Sequence, residues 1–175
     1  MLGLHKDIVE LVPYDSSWVE EYKKEERILR NLLEEYIVDI QHVGSTSIPG
    51  LSAKPILDIA VAVESKETLI KLIPILTNAG YDVKDSIDIN GELLARKGSP
   101  ECRTHYIHIE VVGSEYWNNH ILFRDYLINH TEYIKEYEEM KINALSKFSE
   151  RKKYTAEKNE FIKNILNLAK DELKK

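Results

Sequence analysis

A single cysteine, Cys102, stands among the 175 residues of this chain. One thiol excludes an intramolecular disulfide and a thiolate zinc site, and makes a reducing cytoplasm the natural setting. Long apolar runs are missing as well. No stretch approaches the roughly 20 apolar residues that span a bilayer. The start, Met1-Leu-Gly-Leu-His-Lys-Asp7, lacks the apolar core of a secretory signal. A cytosolic location with no membrane partner is therefore expected. Positive charge is not in excess either: 24 Lys and Arg against 30 Asp and Glu leave a net charge of −6 and a pI near 5.6. That balance argues against a nucleic-acid binder with broad phosphate contacts, while leaving room for a locally basic cleft. Internal repeats and low-complexity linkers are absent. What remains, 43% hydrophobic and 31% charged residues, is the make-up of a globular domain long enough for a real core.

Hydrophobic patterning divides the chain. Residues 8–12 read as a short strand or extended arm ending at Pro13. Asp15 or Ser16 can cap a helix over about 18–36, with Trp18, Tyr22, Ile28, Leu29, Leu32 and Leu33 as its apolar stripe. Strands follow at about 37–43 and 56–63, then a helix capped by Ser65 and stopped at Gly80. Further strands are expected near 81–83, 93–97 and 104–112, separated by the turn signals Asn90-Gly91 and Gly98-Ser99-Pro100. From Glu115 the period turns helical, with helices over about 121–130, 131–149 and from Thr155 through Phe161, Ile165 and Leu168. Short, variously linked strands followed by helices predict an α+β fold. Its mixed-sheet core, with the N-terminal helix, covers 1–114, and a helical lobe covers 115–175.

The segment from Gln41 to Asp58 is the most informative. An apolar run (Ile37, Val38, Ile40) leads into Gly44-Ser45, then small polar residues and Pro49-Gly50, then a second apolar run bearing one acid, Asp58. A buried strand thus ends at a tight turn, crosses over, and re-enters as a strand with a lone carboxylate. Gly44 lets backbone approach a ligand, and the hydroxyls and amides of Ser45, Thr46 and Ser47 can take up anionic oxygens. Asp58 is costly to bury without a partner, so it is either paired, with Lys54 or Arg96, or doing chemistry. Beside a phosphate-cradling loop it is the leading ligand for a divalent ion. A second constellation, His105-Tyr-Ile-His108-Ile-Glu110, puts His108 and Glu110 on one strand face and His105 on the other. Two imidazoles and a carboxylate suit a divalent metal or a phosphate. His42 precedes the turn and fits a supporting role, as does His105; Lys54 could neutralise a phosphate, and Arg103 a phosphate or Glu101.

His42-Val-Gly-Ser-Thr-Ser-Ile-Pro-Gly-Leu-Ser-Ala-Lys-Pro-Ile56 resembles the GrpB family, a branch of the DNA polymerase β-like nucleotidyltransferases. The likeness starts at Leu11-Val-Pro-Tyr-Asp-Ser-Ser-Trp18 and resumes at Arg103-Thr-His-Tyr-Ile-His108. It continues through Phe123-Arg-Asp-Tyr-Leu127, Glu136-Tyr-Glu-Glu-Met-Lys141, Tyr154-Thr-Ala-Glu-Lys158 and Phe161-Ile162. The resemblance implies a nucleotidyltransferase-like core, a nucleoside triphosphate with Mg²⁺ or Mn²⁺, and an unknown small-molecule acceptor. It implies metal ligation by Asp58 and Glu110, with His108 in the catalytic set and Gly44, Ser45 and Thr46 on the phosphates. Lys141, Tyr154 and Lys158 of the lobe would face the triphosphate. One departure matters: the superfamily's strand reads acid-apolar-acid, and here it reads Asp58-Ile59-Ala60. Glu110, from a neighbouring strand, would have to supply the missing acid.

Three functions remain open on these residues. One is nucleotidyl transfer. Another is nucleotide or phosphometabolite binding at a degenerate site, which Ala60 favours. The third is a metal-dependent phosphohydrolase built on His42, His105, His108 and Asp58. Whether Asp58, His108 and Glu110 converge on one point separates them.

Overall fold

A computed structural model describes residues 2–84, 87, 91–147 and 151–174, without the side chains of 147 and 151–154. Helix α1, Ser17–Leu33, begins where the Asp15 carboxylate accepts a hydrogen bond from the Ser17 amide at 2.9 Å; Ser16 contributes no side-chain cap. Its inward stripe is Trp18, Tyr22, Glu25, Leu29 and Leu33, a spacing of three and four residues. Ile28 does not belong to it and is 46% exposed. Glu25 takes the inward place instead, because Tyr81 donates a hydrogen bond to it at 2.5 Å and Lys97 another at 2.5 Å.

Five strands form one mixed sheet: β1 (Asp39–Val43), β2 (Leu57–Val63), β3 (Asp82–Val83), β4 (Leu93–Ser99) and β5 (Cys102–Val111), in the order β1-β2-β5-β4-β3. Only β2 and β5 run parallel; the other neighbours are antiparallel. Helix α2, Lys66–Asn78, links β2 to β3, and the Ser65 hydroxyl caps it by accepting from the Thr68 amide at 3.4 Å. The arm over 8–12 does not become a strand. Val12 makes an isolated bridge with Ala53, and Leu4, ahead of the arm, makes one with Arg103. Asn90 lies outside the described residues.

Alternation along β2 sorts the interior. Ile59, Val61 and Val63 join Ile107, Ile109, Leu93 and Ala95 beneath α1 and α2. Asp58, Ala60 and Ala62 face the opposite side, where Trp117 packs on Ala60, Ala62 and Val43. Trp117 belongs to α3, Glu115–Asn129, which starts where the pattern turns helical and is capped by Ser114, whose hydroxyl accepts from the Trp117 amide at 3.3 Å. Helices α4 (Glu132–Lys147) and α5 (Arg151–Glu172) complete the lobe. Tyr137 stacks on Phe161 at 4.7 Å and meets Phe123 edge-on at 5.7 Å. Ile48 and Leu51, from the crossover before β2, insert into this same cluster. On α5, Leu168 is 42% exposed while Leu166 and Ala169 are buried. The molecule is thus an α+β fold, a five-stranded mixed sheet with a helical lobe at its C-terminal end.

Glu25→Ala should lower stability by about 1–3 kcal/mol, because it leaves the buried Tyr81 hydroxyl without its acceptor. Urea denaturation would show a lower midpoint at an unchanged slope, and the double variant Glu25→Leu/Tyr81→Phe should recover most of the loss.

Candidate functional site

Gly44 follows the last residue of β1 and adopts φ +71°, a conformation that disfavours any side chain. Space forbids one as well: a Cβ there would stand 2.5 Å from Asp58 Oδ2 and 2.9 Å from Asp58 Cβ. The pairing of Val43 with Asp58 across β1 and β2 sets this approach. Ser45–Ser47 then form a short 3-10 turn, closed by the Ser47 hydroxyl donating to the Gly44 carbonyl at 2.6 Å. Beneath the turn, the buried Thr46 hydroxyl lies 3.0 Å from His42 Nε2. His42 faces α1, not the Asp58 side, and stacks on Tyr22 at 4.9 Å. Burial drives its pKa down to about 4 against the opposing pull of Asp58, so the ring is neutral. Arg124 of α3 donates to the His42 carbonyl at 2.9 Å and to Gln41 Oε1 at 2.8 Å, which ties the lobe to the loop.

Asp58 is not paired with Arg96, one of its two expected partners, which instead pairs with Asp82 at 3.6 Å. Its Oδ1 lies 3.3 Å from His108 Nε2. His108 Nδ1 is hydrogen-bonded to Glu92, at the approach to β4. Burial pushes the imidazole down, but the carboxylates on either side overcome it and raise its pKa to about 10. His108 is therefore an imidazolium that donates from both nitrogens. For Asp58, burial pushes the carboxyl up, and the His108 bond and charge, with Lys158 and His120, outweigh it and hold it below its ordinary value.

Glu110 is fully buried on the same face, with Oε1 3.1 Å from His120 Nε2 of α3. The ring is not aligned to donate, and neither Glu110 oxygen has a hydrogen-bond partner among the described residues. Donor atoms of His108, Glu110 and His120 lie within 4.8 Å of one another. Asp58 is not in that trio. In the β2–β5 register Asp58 sits opposite Tyr106 and Glu110 opposite Ala62, so four residues, roughly 13 Å of strand, separate their levels. The two carboxylates do not share a centre; His108 stands between them. Ala60, where a second acid of the strand would be, is sealed under Trp117.

Gly44, Ser45, Asp58, Glu92, His108 and His120 line one cavity of about 360 Å³, closed on the other side by Phe123, Lys158 and Leu166 of the lobe. An adjoining cavity of about 240 Å³ shares Ser45, Asp58 and Lys158 and adds Thr46, Lys54, Tyr106 and Lys141. Lys141 is 1% exposed; its ammonium donates to the Ser52 carbonyl and lies 4.5 Å from the centre of the Tyr137 ring. Burial, then the nearby Lys158, bring its pKa down to about 7 against the pull of Glu138. His105 is not part of this site. It lies on the α1 face, its Nδ1 2.9 Å from the Thr104 hydroxyl, and burial holds it below its ordinary value. Arg103 is buried too, donating to Asp82 at 3.0 Å and to the Gly98 carbonyl at 2.9 Å, so it meets neither a phosphate nor Glu101. The Tyr154 side chain lies outside the described residues. Sequence reasoning missed Glu92 and His120. His120 was legible in principle, being one helical turn past Trp117 on the face that covers the sheet.

The two histidines shift in opposite directions. In an NMR titration His108 should stay protonated through pH 8, and His42 should stay neutral down to pH 5. Because the folded pKa of His42 lies below its ordinary 6.5, its contribution to stability is present above 6.5 and is lost as pH falls toward 4. A His42 signal titrating near 6.5 would contradict this.

The family model described as "GrpB protein" matches residues 8–168. The glutamate-rich protein GrpB of Alkalihalophilus pseudofirmus is 39% identical over 172 residues, covering 95% of this chain and 99% of that protein. The UPF0157 protein YqkA of Bacillus subtilis is 34% identical across 93% of this chain, yet only 47% of that protein's length is covered. Among solved structures, the conserved protein GrpB from Enterococcus faecalis superposes with a TM-score of 0.85 at 32% identity, over 95% of this chain and all of that one. The Cid1 poly(U) polymerase, in a form bound to Mg and 3′-dATP, superposes with a TM-score of 0.52 at 14% identity. That match covers 74% of this chain and 41% of the polymerase, and it is a likeness of fold alone. With a family match running from before α1 almost to the end of α5, the chain belongs to the GrpB family.

Proposed function

We propose that the site binds a nucleoside triphosphate together with one divalent ion, Mg²⁺ or Mn²⁺, and transfers a nucleotidyl group to a small-molecule acceptor slowly or not at all. The observation that carries this reading is the convergence of the Gly44–Ser47 turn, Asp58 and the lysines Lys54, Lys141 and Lys158 on two adjoining cavities. Backbone amides and the Ser45 hydroxyl suit phosphate oxygens, and three ammonium groups offset charge in a chain of net −6.

A pair of ions held by carboxylates does not fit the residues present. Asp58 offers one carboxylate, Ala60 offers none, and Glu110 stands at another level of the sheet. One ion fits, held by Asp58, which retains 29% side-chain exposure. Such an ion neutralises phosphate oxygens when bound. The protein's own groups position the triphosphate and shed water from it. His108 holds a proton already, so it serves as a donor to an anionic oxygen and not as the base that would activate an acceptor. This favours binding over turnover. The phosphohydrolase reading loses its support, since His42 and His105 face α1 across the sheet from Asp58.

Two results test the proposal. Asp58→Ala should weaken Mg²⁺-dependent triphosphate binding at least tenfold by calorimetry without unfolding the domain, and unchanged affinity would remove Asp58 from the site. At pH 8 Lys141 is mostly neutral in the free protein, its pKa being about 7. Triphosphate charge raises that value, so binding should take up close to one proton at pH 8 and almost none below pH 6. Calorimetry in buffers of different ionisation enthalpy measures the uptake, and Lys141→Met should abolish it.

A further inference from the structure

We infer that His108, Glu110 and His120 form a binding site for a first-row divalent ion of the zinc class, held independently of any nucleotide. The three donors come from two rigid elements, β5 and α3, which Trp117 and the Ser114 cap lock together. Their atoms already lie within 4.8 Å of one another, and His120 Nε2 stands 3.1 Å from Glu110 Oε1. Ligands about 2.0–2.1 Å from a tetrahedral zinc stand roughly 3.4 Å from each other. Small side-chain rotations therefore close the set.

Glu110 supplies the independent reason to place a cation here. Its carboxylate is fully buried with both oxygens lacking a hydrogen bond among the described residues. A buried carboxylate in that state is costly, and a bound ion removes the cost. The donor set also selects the ion. Two imidazoles and one carboxylate suit zinc, cobalt, nickel or ferrous iron, whereas magnesium and calcium call for oxygen ligands throughout. Glu92 completes the arrangement from outside, because its hydrogen bond to His108 Nδ1 is the kind of carboxylate contact that fixes the orientation of a metal-bound imidazole. The 3.3 Å contact of His108 Nε2 with Asp58 is the bond an ion would displace, and the Nε2 proton is released to solvent as the ion binds. Three protein ligands leave one position open, and His108 and His120 both face the 360 Å³ cavity.

The test uses the full chain, stripped with chelator and titrated with Zn²⁺ in the absence of nucleotide, so that its outcome does not depend on triphosphate binding. One equivalent should bind at micromolar concentration or below. Co²⁺ in its place should give the visible absorption of a site of low coordination number. Glu110→Gln and His120→Asn should each weaken zinc at least tenfold, while His5→Asn, at an exposed histidine away from the site, should not. His120 is on a helix surface with 28% of its side chain exposed, so that variant should remain folded by circular dichroism even if the Glu110 variant does not. Absence of stoichiometric binding by the natural protein, or equal affinity in the His120 and His5 variants, would overturn the site.

Discussion

The contact between the Gly44 backbone and the Asp58 side chain is the constraint on which the site depends. A bare backbone at positive φ is pressed onto a carboxylate, and only a residue without a Cβ permits it. The approach fixes the turn that follows, because the Ser47 hydroxyl closes on the Gly44 carbonyl and Thr46 drops onto His42. It also confines Asp58 to the side facing His108. From there the polar chain runs on to Glu92, while Glu110 and His120 lie one step along the sheet. Asp58, His108, Glu110 and His120 are placed by strand register or helix phase, and Glu92 stands one residue ahead of β4.

Charge is segregated within the two cavities. Lys54, Lys141 and Lys158 gather beside the turn, and Asp58 and Glu92 gather around two histidines, with Glu110 buried behind them. A protein that is acidic as a whole thus carries a small basic wall facing a small acidic one. The acidic wall is partly neutralised by the His108 imidazolium, whose proton is held by two carboxylates. The basic wall is kept soft by burial, which lets Lys141 lose its proton near neutrality.

Much of this was legible before the fold was known. Apolar runs around 37–43 and 56–63, with Gly44 and Asp58 between and within them, located the turn and the acid. Helical spacing beyond Glu115 located the lobe. Failures came where polar residues occupy buried positions. Glu25 sits on the inward stripe of α1, and Lys141 lies between the buried Tyr137 and Ala144 of α4. A pattern reading assigns such residues to the solvent, since what keeps them inside is a partner distant in sequence, Tyr81 and Lys97 for Glu25 and the Ser52 carbonyl for Lys141. Glu92 was missed for a related reason: its role arises from a contact between the approach to β4 and His108 of β5, which no local spacing announces. The assignment of His105 to the site failed by face, and strand alternation had already set it opposite His108.

Ile48 and Leu51 are part of the crossover, yet they are buried among the aromatic rings of the lobe, and Arg124 of the lobe grips the backbone at His42. The two halves are therefore mechanically interlocked through the ligand-facing turn itself. Any swing of the helices away from the sheet would drag the turn off Asp58 and strip its supporting contacts, so the cleft cannot widen while its floor stays in shape. The Ser47 amide, bonded to the Gly44 carbonyl at 3.2 Å, should then share the protection of α3 rather than that of a surface loop.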